Sequence, residues 1–204
     1  MSPRRSNLLL RHARRATLGL TVAFALALAS TAFGAEGGVG APPGDGSGGS
    51  CSGPDHGTIA GGKAVAPCGA PIEVKMAIAA GNEIRKKHYR LGGGHKYPWV
   101  KDRYYDCSGT VSWLLHGGSK GEAAGYKGLI KRPMTSGELA SNWKSDSGRG
   151  DWITVMANGG HTYIVVAGLR MDTSGTGGNG PRWTTKDIFT KTNGPYSIRH
   201  PKGL

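Results

Sequence analysis

His161-Thr162-Tyr163-Ile164-Val165-Val166-Ala167-Gly168-Leu169-Arg170-Met171-Asp172 is the stretch that decides the architecture. Its β-branched and aromatic residues read as two strands, and Ala167-Gly168 as a two-residue hairpin turn with glycine where positive φ is tolerated. With the turn placed there, Val166 faces Leu169, Val165 faces Arg170, Ile164 faces Met171 and Tyr163 faces Asp172. One face of the hairpin is then wholly apolar, formed by Ile164, Val166, Leu169 and Met171. The other carries His161, Tyr163, Val165, Arg170 and Asp172. A slip of one residue would mix the two sets, so the pattern selects this register. It also sets His161 diagonally across from Asp172, roughly 7–8 Å between backbones and within side-chain reach.

Upstream, Trp152-Ile153-Thr154-Val155-Met156 reads as a further strand after Gly148-Arg149-Gly150-Asp151. Three helices precede it. The first opens at Pro71, a favoured helix start, and repeats Ile72, Met76, Ala79, Ala80 and Ile84 at helical spacing as its expected buried stripe. The second begins near Cys107, turns Val111, Leu114 and Leu115 inward and stops at Gly117-Gly118. A short third helix is expected from Gly137 to Trp143.

The second helix carries chemistry. Asp106 is a favoured N-cap, which puts Cys107 in the first turn. Unpaired backbone N–H groups and the positive end of the helix dipole favour negative charge at that place, and a thiolate is the working nucleophile of a cysteine enzyme. A lone cysteine is more often a buried structural residue; the hairpin supplies the context that favours the chemical reading. Cys107 as nucleophile, His161 as base and Asp172 as the group that orients the imidazole make a Cys-His-Asp arrangement suited to acyl transfer, amide hydrolysis above all. Backbone N–H groups at the start of the Cys107 helix are the candidates for the oxyanion.

The remainder of the chain bounds where such a protein works. Arg4, Arg5, Arg11, Arg14 and Arg15 precede an apolar run from Leu18 to Ala29, with no acidic residue before Glu36. This is the pattern of a secretory signal, expected over residues 1–35, and the apolar run is short for a membrane span. Its removal leaves 21 Lys and Arg against 13 Asp and Glu, a net charge of +8. A secreted protein of that charge is drawn to anionic surfaces such as a cell wall or a membrane. Export, and the lack of a recognition helix or a basic–aromatic stripe, argues against nucleic acid. Residues 36–70 read as a Gly/Pro-rich linker with a loop that Cys51 and Cys68 would close as a disulfide, leaving Cys107 as a free thiol. A metal site from Cys51, His56 and Cys68 is disfavoured because no close Cys-x-x-Cys pair is present. No metal or cofactor is expected.

Taken in order, Asp106-Cys107-Ser108-Gly109, Arg132-Pro133-Met134-Thr135-Ser136, Gly150-Asp151-Trp152 and Gly160-His161 followed by a hairpin resemble the NlpC/P60 cysteine peptidases. His88-Tyr89-Arg90-Leu91-Gly92-Gly93 is similar to the family's Pro-Tyr-x-x-Gly-Gly segment, with His88 replacing the proline. The resemblance covers roughly Ile72 to Ser174. It implies an α+β, papain-like fold, with the nucleophile helix packed on a small antiparallel sheet. It further implies hydrolysis of peptidoglycan stem peptides, commonly between D-glutamyl and a diamino acid, with Cys107 as nucleophile, His161 as base, and Tyr89 and Ser108 at the substrate. The family's third residue is often His, Asn or Gln; here the matching place holds Asp172. Trp152 after Gly-Asp is a further departure.

The expected organisation is therefore a catalytic domain over residues 71–174 and a C-terminal extension over 175–204, acting as a monomer. The extension, with Trp183, Phe189, Tyr196 and His200, has no firm reading beyond covering one end of the groove or adding a strand. Two other readings stand beside the hydrolase: an amidase or acyltransferase of the same fold, and a non-catalytic basic module that binds the wall. Ser108 is as well explained by structure as by substrate. Tyr163 reads as packing beside the site, and the five tryptophans as core residues. His95 in the Gly-rich loop is the remaining histidine best placed to reach substrate, whereas His56, His88, His116 and His200 read mostly as solvated.

Overall fold

The computed structural model describes residues 55–141, 143–174, 180–190 and 192–204. The leader, most of the linker and Cys51 lie outside the described residues. Cys68 is disulfide-bonded, and Cys107 is a free thiol.

The fold is α+β. A hairpin of β1 (Thr58–Ala60) and β2 (Lys63–Val65) leads into α1 (Ile72–Ile84), which Pro71 caps. Two short parallel strands, β3 (His88–Tyr89) and β4 (Tyr104–Tyr105), bracket the glycine-rich loop and deliver the chain to α2 (Cys107–His116). After α3 (Gly118–Ala123) and α4 (Ser136–Ala140) the chain enters a six-stranded sheet. Its strands are β5 (Ser145–Ser147), β6 (Ile153–Ala157), β7 (Thr162–Val166), β8 (Leu169–Asp172), β9 (Arg182–Thr184) and β10 (Ser197–Pro201). The spatial order is β5-β10-β6-β7-β8-β9, with every neighbour antiparallel.

The hairpin forms in the expected register, Val166 opposite Leu169, Val165 opposite Arg170 and Ile164 opposite Met171. Ala167 and Gly168 both adopt positive φ, 49° and 79°, as a turn matching the strand twist requires. Ile164, Val166, Leu169 and Met171 join Val111, Leu114 and Leu115 of α2 in the main core. Tyr163 and Val165 face the other way, into a smaller cluster with Met156, to which Ile188, Phe189, Tyr196 and Ile198 add partial cover. The C-terminal extension is thus part of the sheet and the cover of its second face: β10 lies between β5 and β6, and β9 closes the far edge.

α1 buries Ala80 and Ile84 as expected, but the rest of its inward face differs from the expected stripe. Val74, Ala77, Ile78, Ala80, Gly81 and Ile84 are buried, while Ile72 is exposed and Met76 and Ala79 are only half-buried. Small residues let the helix approach: a methyl at Gly81 would meet the Trp183 ring and Met171. The helix at 118–123 was not expected, and α4 is shorter than the predicted span. His116 is not solvated either. It is buried and stacks on Trp99 with ring centroids 4.0 Å apart, and burial lowers its pKa. Trp113 and Trp183 are core residues, with Trp99, Trp143 and Trp152 packed against them. No helix of the described residues is long and apolar enough to cross a membrane.

Candidate active site

α2 begins where Asp106, in extended conformation, accepts the Gly109 N–H at 2.7 Å through Oδ1. That cap satisfies one orphan donor of the first turn. The other oxygen accepts the Gly92 N–H at 2.8 Å, tying the glycine-rich loop to the helix start. The approach is close enough that a methyl on Gly109 would fall on the Gly93 carbonyl oxygen, which is why the residue after Cys107-Ser108 carries no side chain. Cys107 sits at this junction, half-buried. The Arg132–Ser136 segment braces the same helix: the Met134 N–H donates to Ser112 Oγ at 3.0 Å, and Thr135 and Glu138 form a capping box for α4.

His161 lies just before β7, at the end of the turn begun by Asn158, whose Oδ1 accepts the N–H groups of Gly160 and His161 at 2.9 and 2.8 Å. Its Nε2 is 3.0 Å from Asp172 Oδ1 at the end of β8. Cys107 also acts on its imidazole, through a hydrogen-bond interaction and through charge, and both favour the protonated ring. The structure therefore brings together the three residues that the sequence singled out. Burial disfavours the imidazolium, yet hydrogen bonds and charge from Asp172 and Cys107 outweigh it and raise the His161 pKa to about 9.

Asp172 is itself over-determined. Burial would raise its pKa, but hydrogen bonds from His161 and Ser174, together with the imidazolium charge, hold the carboxyl well below the usual range. The Thr173 and Ser174 N–H groups reach Oδ1 at 2.6 and 3.0 Å, and the Ser174 hydroxyl reaches Oδ2 at 2.7 Å. Arg170 Nη2 completes the set as an ion pair with Oδ2, and its guanidinium lies 4.0 Å above the Tyr163 ring. Tyr163 is fully buried with its ring 6.5 Å from that of His161, a packing role as expected.

Tyr89 is exposed on β3, and its pKa is raised by partial burial and, to a smaller extent, by the charges of Cys107 and Asp106. Ser108 is buried, its hydroxyl 3.2 Å from Asp106 Oδ1 and 3.1 Å from His95 Nε2. His95 turns the same nitrogen to Asp106 Oδ1 at 3.0 Å; the hydrogen bond to Asp106 raises its pKa against the effect of burial. Ser108, His95 and Asp106 thus bond to one another, and Ser108 reads more readily as part of the helix start than as a free substrate contact.

Two contributors escaped the sequence reading, Arg170 behind Asp172 and Asn158 under His161, while residues 187–190 and 192–196 belong to the tail for which the sequence offered cover of one end of the groove or an added strand. Asn158-Gly159-Gly160 carried a turn signal that would have found the second. Among the described residues no group of His, Cys, Asp and Glu is arranged to hold a metal ion. In comparisons with known proteins, the chain matches no family model, no curated protein and no solved structure.

Proposed function

We propose that this chain is a secreted thiol hydrolase of NlpC/P60 type and papain-like fold that cleaves amide bonds in peptidoglycan stem peptides. The observation that carries the proposal is the chain of contacts Cys107–His161–Asp172, with the thiol at a helix start and the imidazole fixed by a buried carboxylate. Cys107 gives up its proton to His161, and the sulfur attacks the scissile carbonyl. The charge on the resulting oxyanion is held by the N–H groups of the first turn of α2 that have no intrahelical partner. Collapse breaks the C–N bond, the imidazolium passes its proton to the leaving amine, and a thioester remains. Water then attacks the thioester, losing its proton to His161, and releases the new carboxylate and the thiol. Throughout, Asp172 keeps the ring in one orientation and stabilises the imidazolium.

The substrate rests on the ordered motifs in the sequence and on the charge of +8 expected after leader removal, which suits an anionic wall. The test is incubation of the protein and its Cys107→Ala variant with purified peptidoglycan, reading released fragments by mass spectrometry. Muropeptides that depend on Cys107 support the hydrolase, and their masses name the bond. Wall binding by both proteins with no fragments from either points instead to the binding module.

A further inference from the structure

Along the glycine-rich loop lies a hollow of about 440 Å³ that the hydrolytic steps leave unused. Arg90, Gly92, Gly93, Lys96, Asp102 and Arg103 line it, so three cations face one carboxylate. That carboxylate is already engaged. Asp102 Oδ1 lies 3.1 Å from Lys96 Nζ and accepts the Arg103 N–H at 2.7 Å, while Oδ2 accepts the Gly94 N–H at 3.3 Å. Arg90 and Arg103 have no carboxylate partner among the described residues; their guanidinium carbons lie 5.6 and 5.2 Å from the centroid of the Tyr104 ring. Two like charges near one aromatic ring and without a carboxylate disfavour each other, and an anion held by both would offset that repulsion.

The hollow is joined directly to the catalytic machinery. Gly92 in its wall donates to Asp106, the residue before Cys107, and Arg90 follows Tyr89, whose partner across the strand pair is Tyr105.

We propose that this hollow is an oxyanion subsite that receives a carboxylate carried by the peptide substrate close to the scissile bond, with Arg90 and Arg103 as its specificity-determining residues. The inference rests on the hydrolase reading of Cys107. A planar guanidinium presents two parallel N–H groups to a carboxylate, a match that a point charge lacks. A volume of this size admits an acidic residue together with its neighbours in the chain. Continuity with the nucleophile's own loop makes the occupant part of the chain being cut, in preference to a separate wall polymer.

The test begins with binding. The Cys107→Ala protein is titrated calorimetrically with a stem-type tripeptide, γ-D-glutamyl linked to a diamino acid, bearing free carboxylates, and with the same peptide fully amidated. The free acid binds about tenfold tighter than the amide. Adding Arg90→Gln with Arg103→Gln removes the difference, and Lys at both positions restores only part of it. Both side chains are exposed, so the thermal transition of the double variant stays unchanged. In the presence of Cys107, the double substitution raises KM for the free acid by about tenfold more than for the amide. Equal affinity for the two peptides, binding of neither, or indifference to the double substitution overturns the subsite. So does tighter binding of poly(glycerol phosphate) than of the peptide, lost on the same substitutions, because the hollow then belongs to a wall polymer. The two readings fail separately. Cleavage without discrimination between acid and amide removes the subsite alone, whereas discrimination through Arg90 and Arg103 without cleavage removes the hydrolase alone.

Discussion

Asp172 and His161 hold each other's charge in a place where burial opposes both. The imidazole pKa lies near 9 against an ordinary 6.5, and the carboxyl lies below its ordinary 3.8. A base raised in this way stabilises the fold fully below pH 6.5 and loses that contribution as pH rises through 9. A carboxyl depressed in this way contributes above its unfolded value and loses the contribution as pH falls below it. Neutral pH therefore lies in the window where both act. Asp172→Asn keeps a hydrogen-bond acceptor but removes the charge. In that variant the alkaline limb of the kcat/KM profile moves from near pH 9 towards 6.5. By analogy with the orienting carboxylate of serine hydrolases, kcat falls by on the order of 10²- to 10⁴-fold. The readout is the pH profile of hydrolysis with circular dichroism as a fold control. A limb that stays near pH 9 in a folded variant would show that Asp172 does not set the imidazole charge.

The β6–β7 hairpin and the segment formed by residues 187–190 and 192–196 act together at the next scale. Asn158 spends its carbonyl on the turn that aims His161 and its amide on the Asn193 and Pro195 carbonyls, at 3.0 and 3.2 Å. The Tyr163 hydroxyl donates to the Thr190 carbonyl, Arg170 Nη1 to the Asp187 carbonyl, and the Tyr196 ring meets Tyr163 edge-on at 5.4 Å. The segment is therefore fastened to the residues around His161 and Asp172, beside the proposed catalytic pair. Asn158→Ala breaks the fastening and the turn at once. It is expected to cost about 1–3 kcal/mol of stability in denaturant unfolding, and to lower kcat more than it raises KM, because His161 loses its fixed approach to Cys107. A variant with lowered stability and unchanged kcat would confine Asn158 to folding. Local pattern explains which of these elements could be read beforehand. The β7–β8 hairpin declares itself through alternation and a turn that needs positive φ, and α2 through Asp106 and Gly117. The inward face of α1 does so only in part: Ala80 and Ile84 belonged to the expected stripe, whereas Ala77 and Gly81 are buried for closeness of approach and leave little apolar signal. The Asn158 amide is likewise illegible, because its partners lie 35 and 37 positions away.

At the scale of the molecule, the last strand in sequence is an inner strand in space. β10 pairs with β6 through Ser197, Ile198 and Arg199 and with β5 through Arg199, His200 and Pro201, so the sheet is complete only when the C-terminus arrives. Arg199 strengthens the join by donating to Ser145 Oγ at 2.8 Å and to the Ser145 carbonyl at 3.1 Å. The sequence resemblance ended at Ser174 and left this segment as an extension, since a strand of Ser-Ile-Arg-His-Pro carries too weak an alternation to announce an inner position. Its removal strips β6 of one whole row of ladder hydrogen bonds, frees β5, and uncovers Met156 on the second face of the sheet. A chain ending at Tyr196 is accordingly expected to lose cooperative thermal unfolding together with the proposed hydrolytic activity. A chain ending at Pro201 keeps the strand and gives up Leu204, a partly buried core contact worth about 1–2 kcal/mol, so it retains a single transition at somewhat lower temperature. Scanning calorimetry of the two truncations separates the cases. If the chain ending at Tyr196 melts in one transition at the temperature of the full-length protein, β10 is dispensable and the sheet that carries His161 is complete without it.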